Sequence, residues 1–237
     1  MSQFNYKRIL LKLSGEMFKG SRDYGIDPQF LNYLANEISE LHKQNIDIGI
    51  VIGGGNIFRG LAASMNGMDR VTADYSGMLA TIMNALALND SLKKKGLDSR
   101  VMSALELKEV TESFILDKCL KHFEKKRIVI FSGGTGNPYF TTDTTAALRA
   151  VEIKADIILK ATKVDGIYDS DPVKNEEAIK FDNLSYLDVI NKQLKVMDST
   201  ALSLSMDNHI PIKVFNLSVA GNIAKALTDN NIGTLIK

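Results

Sequence analysis

The sequence is short of the residues on which several chemistries rest. Cysteine occurs once, at Cys119. A single thiol cannot close an internal disulfide, and such chains belong to reducing compartments, so a cytoplasmic protein is expected. Cys119 falls in a helical pattern and reads as a small buried hydrophobe. Histidine occurs three times, at His42, His122 and His209, and never in a glycine-rich segment. No Cys/His ligand cluster for zinc is therefore available. The G-x-S-x-G elbow of many serine hydrolases is missing. So are the P-loop pattern G-x-x-x-x-G-K-[ST] and a G-x-G-x-x-G that opens a dinucleotide fold.

Two further shortages bear on partners. No run approaches ~18 apolar residues, and the opening MSQFNYKRILLKLSGE shows no apolar leader, so a chain without a membrane partner is expected. Neither sign of charge is in excess: 29 Lys+Arg face 28 Asp+Glu, for a net charge of +1. A general nucleic-acid binder would carry a strong basic surplus, so none is expected as a partner. A locally basic pocket for a small phosphorylated ligand stays open.

What is present is a core and a rhythm. The 237 residues are 45% hydrophobic, ample for one domain over residues 1–237. RILLKL (8–13), IDIGIVI (46–52), RVMS (100–103), RIVIFS (127–132), DIILKA (156–161) and IKVFN (212–216) read as strands. Helical patterns lie between them. Asp27 and Pro28 open one as N-cap and first residue. A long one runs from about Val71 to Lys95 and is closed by Gly96. Its Met78, Leu79, Ile82, Met83 and Leu86 suit either core or a subunit interface. Others cover 142–155, 198–208 and 221–230. Alternating strands and helices predict an α/β fold with a mainly parallel central sheet.

In such sheets ligands bind beyond the carboxyl ends of the strands. The segments there are KLSGE, GGGNIFRG, SGGTGNPYFTTD and KATKVDGIYDSDP. Glycine lets backbone approach a ligand, and amides at a following helix start bind anions. Glycines also make ordinary turns, but two such tracts with Lys12 and Arg59 close by favour phosphate. Lysine, arginine, amides, hydroxyls and aspartates are the equipment of phosphoryl transfer, where positioning and charge neutralisation dominate.

Five segments taken together, KRILLKLSGE, VIGGGNIFRG, GTGNPYFTTD, LKATKVDGIYDSDP and LKVMD, resemble the bacterial UMP kinases of the amino acid kinase superfamily. They occur in that family's order from Lys7 to Asp198, and PIKVFN and GTLI extend the match. The resemblance implies a three-layer α/β/α sandwich, the reaction MgATP + UMP → ADP + UDP in pyrimidine nucleotide biosynthesis, and a homohexamer. Relatives in the superfamily phosphorylate carboxylates or carbamate. GTGNPYFTTD and GMDRVTADYSG are the features that point to UMP. A kinase for an acidic amino acid, or a non-catalytic binding protein on the same fold, are the alternatives.

The resemblance also implies roles. Lys12, Arg59, Asp143 and Asp198 would be catalytic. Lys12, Leu13, Ser14, Gly15, Gly55, Arg59, Thr162, Tyr168 and Asp171 would bind ATP with its Mg²⁺. Gly54, Asp74, Thr135, Gly136, Asn137, Pro138, Tyr139, Phe140, Thr141 and Thr142 would bind UMP, chiefly in the N-terminal part of the chain. Bland readings stand beside these: a strand-end lysine for Lys12, a solvated arginine for Arg59, an exposed helical aspartate for Asp74, and helix N-caps for Asp143 and Asp198. Lys160 and Lys163 add charge, and either is placed to meet phosphate. Gly20, Ser21, Arg22, Asp23, Tyr24 and Gly25 match in position a segment associated with activation by GTP, and UTP would inhibit. One point needs no family. A phosphate acceptor, with a second pKa of about 6, is already ionised at neutral pH, so loops without histidine suit it.

Overall fold

The computed structural model describes residues 6–237. Residues 1–5, part of the segment read as lacking a leader, lie outside the described residues. In chain order the elements are β1 (Arg8–Leu13), α1 (Gly15–Phe18), α2 (Pro28–His42), β2 (Asp47–Ile52), α3 (Gly60–Met65), α4 (Arg70–Lys94), β3 (Ser99–Ser103), β4 (Glu112–Ser113), α5 (Leu116–Glu124) and β5 (Ile128–Ser132). They continue as α6 (Thr142–Glu152), β6 (Ile157–Thr162), β7 (Ile167–Tyr168), β8 (Lys180–Phe181), β9 (Asn183–Leu184), α7 (Tyr186–Asn191), α8 (Ser199–Asp207), β10 (Ile212–Asn216), α9 (Asn222–Thr228) and β11 (Thr234–Ile236).

Nine strands form one sheet in the order β4-β3-β5-β2-β1-β6-β10-β11-β9, and β7 pairs separately with β8. All neighbours in the large sheet run parallel except β10 and β11. The central strands read as unbroken apolar runs because both faces are covered. Ile9, Leu11 and Leu13 of β1 join a core with α2, α4 and α9 on one face. Leu10 joins a second core with α5, α6, α7 and α8 on the other. The arrangement is the α/β/α sandwich, with its mainly parallel sheet, that the sequence leads one to expect.

Several local readings hold. Asp27 caps α2, its side chain accepting from the Gln29 amide, and Pro28 opens the helix. Gly96 follows α4 with a φ of +76°. β2 starts one residue later than expected, and α4 starts at Arg70 behind the cap Asp69. On α4, Met78 and Ile82 are buried whereas Tyr75, Leu79 and Met83 stand exposed at four-residue spacing. That helix therefore has both a core side and an apolar outer side. Cys119 is buried, and burial pushes its thiol up to about 12. Among the described residues no helix is long and apolar enough to cross a membrane.

The loops after β1 and β2 touch through backbone. A Cβ on Gly15 would lie 2.6 Å from the Gly53 carbonyl oxygen and 2.7 Å from the Gly55 nitrogen. Gly15→Ala is thus expected to cost about 1–3 kcal/mol through overpacking. Gly77, inside α4, has no atom beyond its own helix backbone and chain neighbours within 4 Å of its would-be Cβ. Gly77→Ala is expected to stabilise by about 0.5–1 kcal/mol. Urea unfolding of the two variants checks the contrast, and equal effects would contradict it.

Candidate active site

β1 and β6 are adjacent and parallel, and their register places Lys12 directly beside Lys160. Both side chains extend over the face that carries α6. Like charges side by side on neighbouring strands repel, and a single carboxylate holds them. Asp143 Oδ1 lies 2.5 Å from Lys12 Nζ, and Oδ2 lies 2.9 Å from Lys160 Nζ. The Lys12 contact falls outside hydrogen-bond geometry, so it is an ion pair by distance alone. Lys160 also donates to the Val196 carbonyl. Burial pushes the Asp143 carboxyl up, but the charges of Lys12 and Lys160, with the Lys160 hydrogen bond, outweigh it. They hold the group below the usual carboxylate range. Burial, and then the Lys12 charge, pull the Lys160 ammonium below the usual lysine range, with Asp143 and Asp198 opposing. Two lysines against one carboxylate leave the trio one positive charge in surplus.

Asp143 reaches this position because of how α6 begins. The N-cap is Thr141, not Asp143: its hydroxyl accepts from the amides of Asp143 and Thr144. Asp143 sits in the first turn with its carboxylate turned toward the sheet, where the helix dipole also favours negative charge. The reading of Asp143 as a cap is corrected on this ground. Asp198 is an N-cap, accepting from the Ala201 amide at 2.8 Å. It also accepts from the Thr141 hydroxyl, and from the Thr144 hydroxyl at 3.0 Å. Its oxygens are filled by these donors, so it ties the starts of α6 and α8 together.

Two cavities flank the trio. The larger, about 580 Å³, is lined by Lys160, Thr162, Tyr168, Asp171, Val196 and Val214 among others. Three of the residues expected to bind ATP are thus on its wall. The Tyr168 hydroxyl donates to Asp165, which, with burial, pushes the phenol up to about 12. Lys163 is exposed and off this wall, whereas Lys160 is on it and joins the trio. The smaller cavity, about 230 Å³, is lined by Gly54, Phe58, Arg70, Asp74, Thr81 and Phe140 among others, with Thr141 and Thr142 leading into α6.

The remaining expected residues divide. Asp74 is not an exposed helical aspartate: its Oδ2 accepts from the Tyr139 amide and from Arg70 Nε, each at 2.8 Å. Thr135, Gly136, Asn137, Pro138 and Tyr139 flank the smaller cavity without lining it. Leu13 has its side chain in the core and its carbonyl accepting the Gly53 amide, and it lines neither cavity. Ser14 and Gly15 form the turn beneath the 53–55 loop. Arg59 is 64% exposed and paired to Glu16 Oε1 at 2.7 Å. The loop of residues 20–25 is a surface loop anchored at Gly25. Of the histidines, His42 faces the Lys126 carbonyl and His122 faces Glu112, away from both cavities.

Some participants gave no sequence signal. Glu16 neutralises Arg59. Asn56 and Asn84 are buried and exchange amide hydrogen bonds of 3.0 and 2.7 Å. Their other N–H groups hold the Gly25 and Gly53 carbonyls, each at 2.8 Å. Inward asparagines twenty-eight residues apart have no local pattern. Thr81, whose hydroxyl accepts the Gly133 amide at 2.8 Å, is another such case.

Among known sequences and structures, the profile of the amino acid kinase family matches residues 7–216. The solved UMP kinase of Bacillus anthracis is 40% identical with a TM-score of 0.94, over 98% of this chain and 96% of its own. The UMP kinase of Ureaplasma parvum is 39% identical with a TM-score of 0.93, over 98% of both chains. The uridylate kinase of Archaeoglobus fulgidus is 28% identical with a TM-score of 0.74, over 97% of this chain and 99% of its own.

The charge surplus gives opposite signs for two variants. Asp143→Ala strands two buried ammonium groups and is expected to cost about 3 kcal/mol or more. Lys12→Met removes a like charge and keeps the packing, so its stability should stay within about 1 kcal/mol of wild type. Denaturant unfolding at pH 7 checks this, and a comparable loss in both variants would contradict the assignment.

Proposed function

The chain belongs to the amino acid kinase family, and from that premise we propose that it transfers a phosphoryl group from MgATP to UMP, giving ADP and UDP. The observation that carries this reading is the lysine pair over one carboxylate, flanked by two cavities of unequal size. The larger takes ATP and the smaller takes UMP. Three of the similar solved structures are uridylate kinases, two of them near 40% identity over nearly the whole chain.

In this reading the surplus charge of Lys12 and Lys160 meets the charge that spreads over the transferring oxygens. Asp143 keeps both ammonium groups aimed. Asp198 positions α6 rather than touching the reacting atoms. The acceptor oxygen of UMP is ionised at neutral pH, so the chain supplies no general base. Gly54 and Gly55 offer backbone amides, and Arg59 swings from Glu16 to phosphate. Asp143 and Asp198 are already committed to cations and donors; Mg²⁺ carried by the donor's phosphates would supply further charge neutralisation there. The chain acts as one catalytic unit whose N-terminal part takes UMP, in pyrimidine nucleotide supply in the cytoplasm. Activation by GTP, inhibition by UTP and a homohexamer rest on the resemblance. The exposed Tyr75, Leu79 and Met83 face of α4 supports self-association.

A coupled ADP-release assay with UMP, CMP, glutamate and aspartate tests the reaction. Turnover is expected with UMP, and turnover with an amino acid but none with UMP would overturn the reading. Lys12→Met should lower kcat by about 10²-fold while nucleotide binding persists; near-normal turnover would make Lys12 a bystander.

A carboxylate that loses a hydroxyl partner forfeits about 1.5–3 kcal/mol. UMP should therefore exceed dUMP in kcat/KM by roughly 10- to 100-fold. Asp74→Ala should narrow that ratio and leave the KM for ATP near its wild-type value. An unchanged ratio would remove Asp74 from sugar recognition.

A further inference from the structure

The mouth of the smaller cavity is held by a contact set that centres on Arg70. α4 starts behind Asp69, whose carboxylate accepts the Thr72 amide at 2.9 Å. Arg70 is the first helical residue, and Asp74 lies one turn on. Arg70 Nε donates to Asp74 Oδ2 at 2.8 Å, and the Tyr139 amide donates to the same oxygen at 2.8 Å. The Arg70 guanidinium also sits 5.3 Å from the centre of the Tyr139 ring. Tyr139 has a φ of +71°, a left-handed backbone that a bulky residue seldom adopts. Such a conformation persists only where the surroundings enforce it. Here the enforcement comes from the Asp74 oxygen at its amide and the Arg70 cation over its ring. Tyr139 is 66% exposed and lines neither of the two cavities, whereas its neighbour Phe140 lines the smaller one.

From this we infer that Arg70 is a positioning residue that sets acceptor specificity. It fixes the Asp74 carboxylate in one orientation and fills Oδ2. Among the described residues Oδ1 has no hydrogen-bond partner, which leaves one oxygen for a sugar hydroxyl. Through the Tyr139 ring it also clamps the strained turn, and so keeps Phe140 at the cavity wall. A carboxylate that can rotate accepts a hydroxyl or water equally well. One held twice through Oδ2 rewards a hydroxyl only where Oδ1 points. The inference rests on the reading of the smaller cavity as the UMP site.

The test uses Arg70→Met, which keeps length and removes charge, and Arg70→Lys, which keeps charge and removes the planar fork. Arg70→Met is expected to raise KM for UMP by about tenfold or more, while kcat falls less than about threefold and KM for ATP holds. The UMP:dUMP ratio of kcat/KM should narrow, with Arg70→Lys intermediate. Native-state hydrogen exchange at the Tyr139 amide should speed up in both variants, because its acceptor is no longer held. A merely structural arginine would lower kcat and raise both KM values together, leaving the sugar ratio where it was. Unchanged KM, ratio and Tyr139 exchange in Arg70→Met overturn the inference, and if that variant does not fold, the same result in Arg70→Lys does. Should the wild type fail to turn over UMP, the UMP reading falls, and the clamp is then judged by Tyr139 exchange alone.

Discussion

Two ammonium groups side by side on adjacent strands make up the constraint to which the rest of this structure answers. Lys12 and Lys160 are register partners on β1 and β6, so their separation is set by the sheet and not by their own flexibility. A sheet does not tolerate that pair in its buried face without a counter-charge. The counter-charge comes from the opposite layer, from the first turn of α6, and this dictates where α6 must start. Thr141 supplies the cap so that the Asp143 side chain is left over for the lysines. Asp198 then anchors that cap from the start of α8. One electrostatic demand thereby fixes the meeting of two strands and two helices. It leaves a deliberate imbalance of one charge, which an anionic ligand is able to satisfy.

The second layer of order is made of backbone. The turn after β1 and the loop after β2 approach so closely at Gly15, Gly53 and Gly55 that side chains are excluded. Glycine here serves contact between two loops as well as access for a ligand. The Asn56–Asn84 pair completes it by satisfying the Gly53 and Gly25 carbonyls. Buried amides that are fully paired specify one arrangement, since any shift would leave a polar group unsatisfied. The glycine loop is held from beneath by α1, from behind by α4 and from the side by the 20–25 loop.

The sequence carried the layer architecture and the strand-end loops clearly, because both follow from local pattern. RILLKL and DIILKA are apolar runs of strand length, and the residues after them are those that a ligand site needs. Lys12 and Gly54 stand out in that way at strand ends, whereas the roles expected of Asp143, Thr162, Tyr168 and Asp171 came with the family resemblance. What was not legible depends on register and on distance in the chain. Nothing local in DIILKA reveals that Lys160 stands beside Lys12, since strand neighbours 148 residues apart are set by topology. Asp143 reads as a cap because aspartate near a helix start usually is one. Only the tertiary demand of two lysines moves that role to Thr141. Asp74 reads as surface for the same reason: its partner, the Tyr139 amide, is 65 residues away. The short strands β4, β7, β8 and β9 have two residues each, too few for any period to appear.

Net charge conceals the electrostatics that matter in this chain. An overall balance of 29 against 28 describes the surface, where most pairs are exposed and worth little. The same balance is broken locally wherever a group is buried. One surplus cation sits at the trio, where low polarizability strengthens its field. A second cation, Arg59, is paired with Glu16 at the rim and 64% exposed, open to an exchange of partners. The centre is preorganised and the rim is adjustable. That division suits a site that must admit and release an anion while holding its charge-bearing groups still. It also explains how a chain with almost no net charge can carry a trio with one surplus positive charge beside its two cavities.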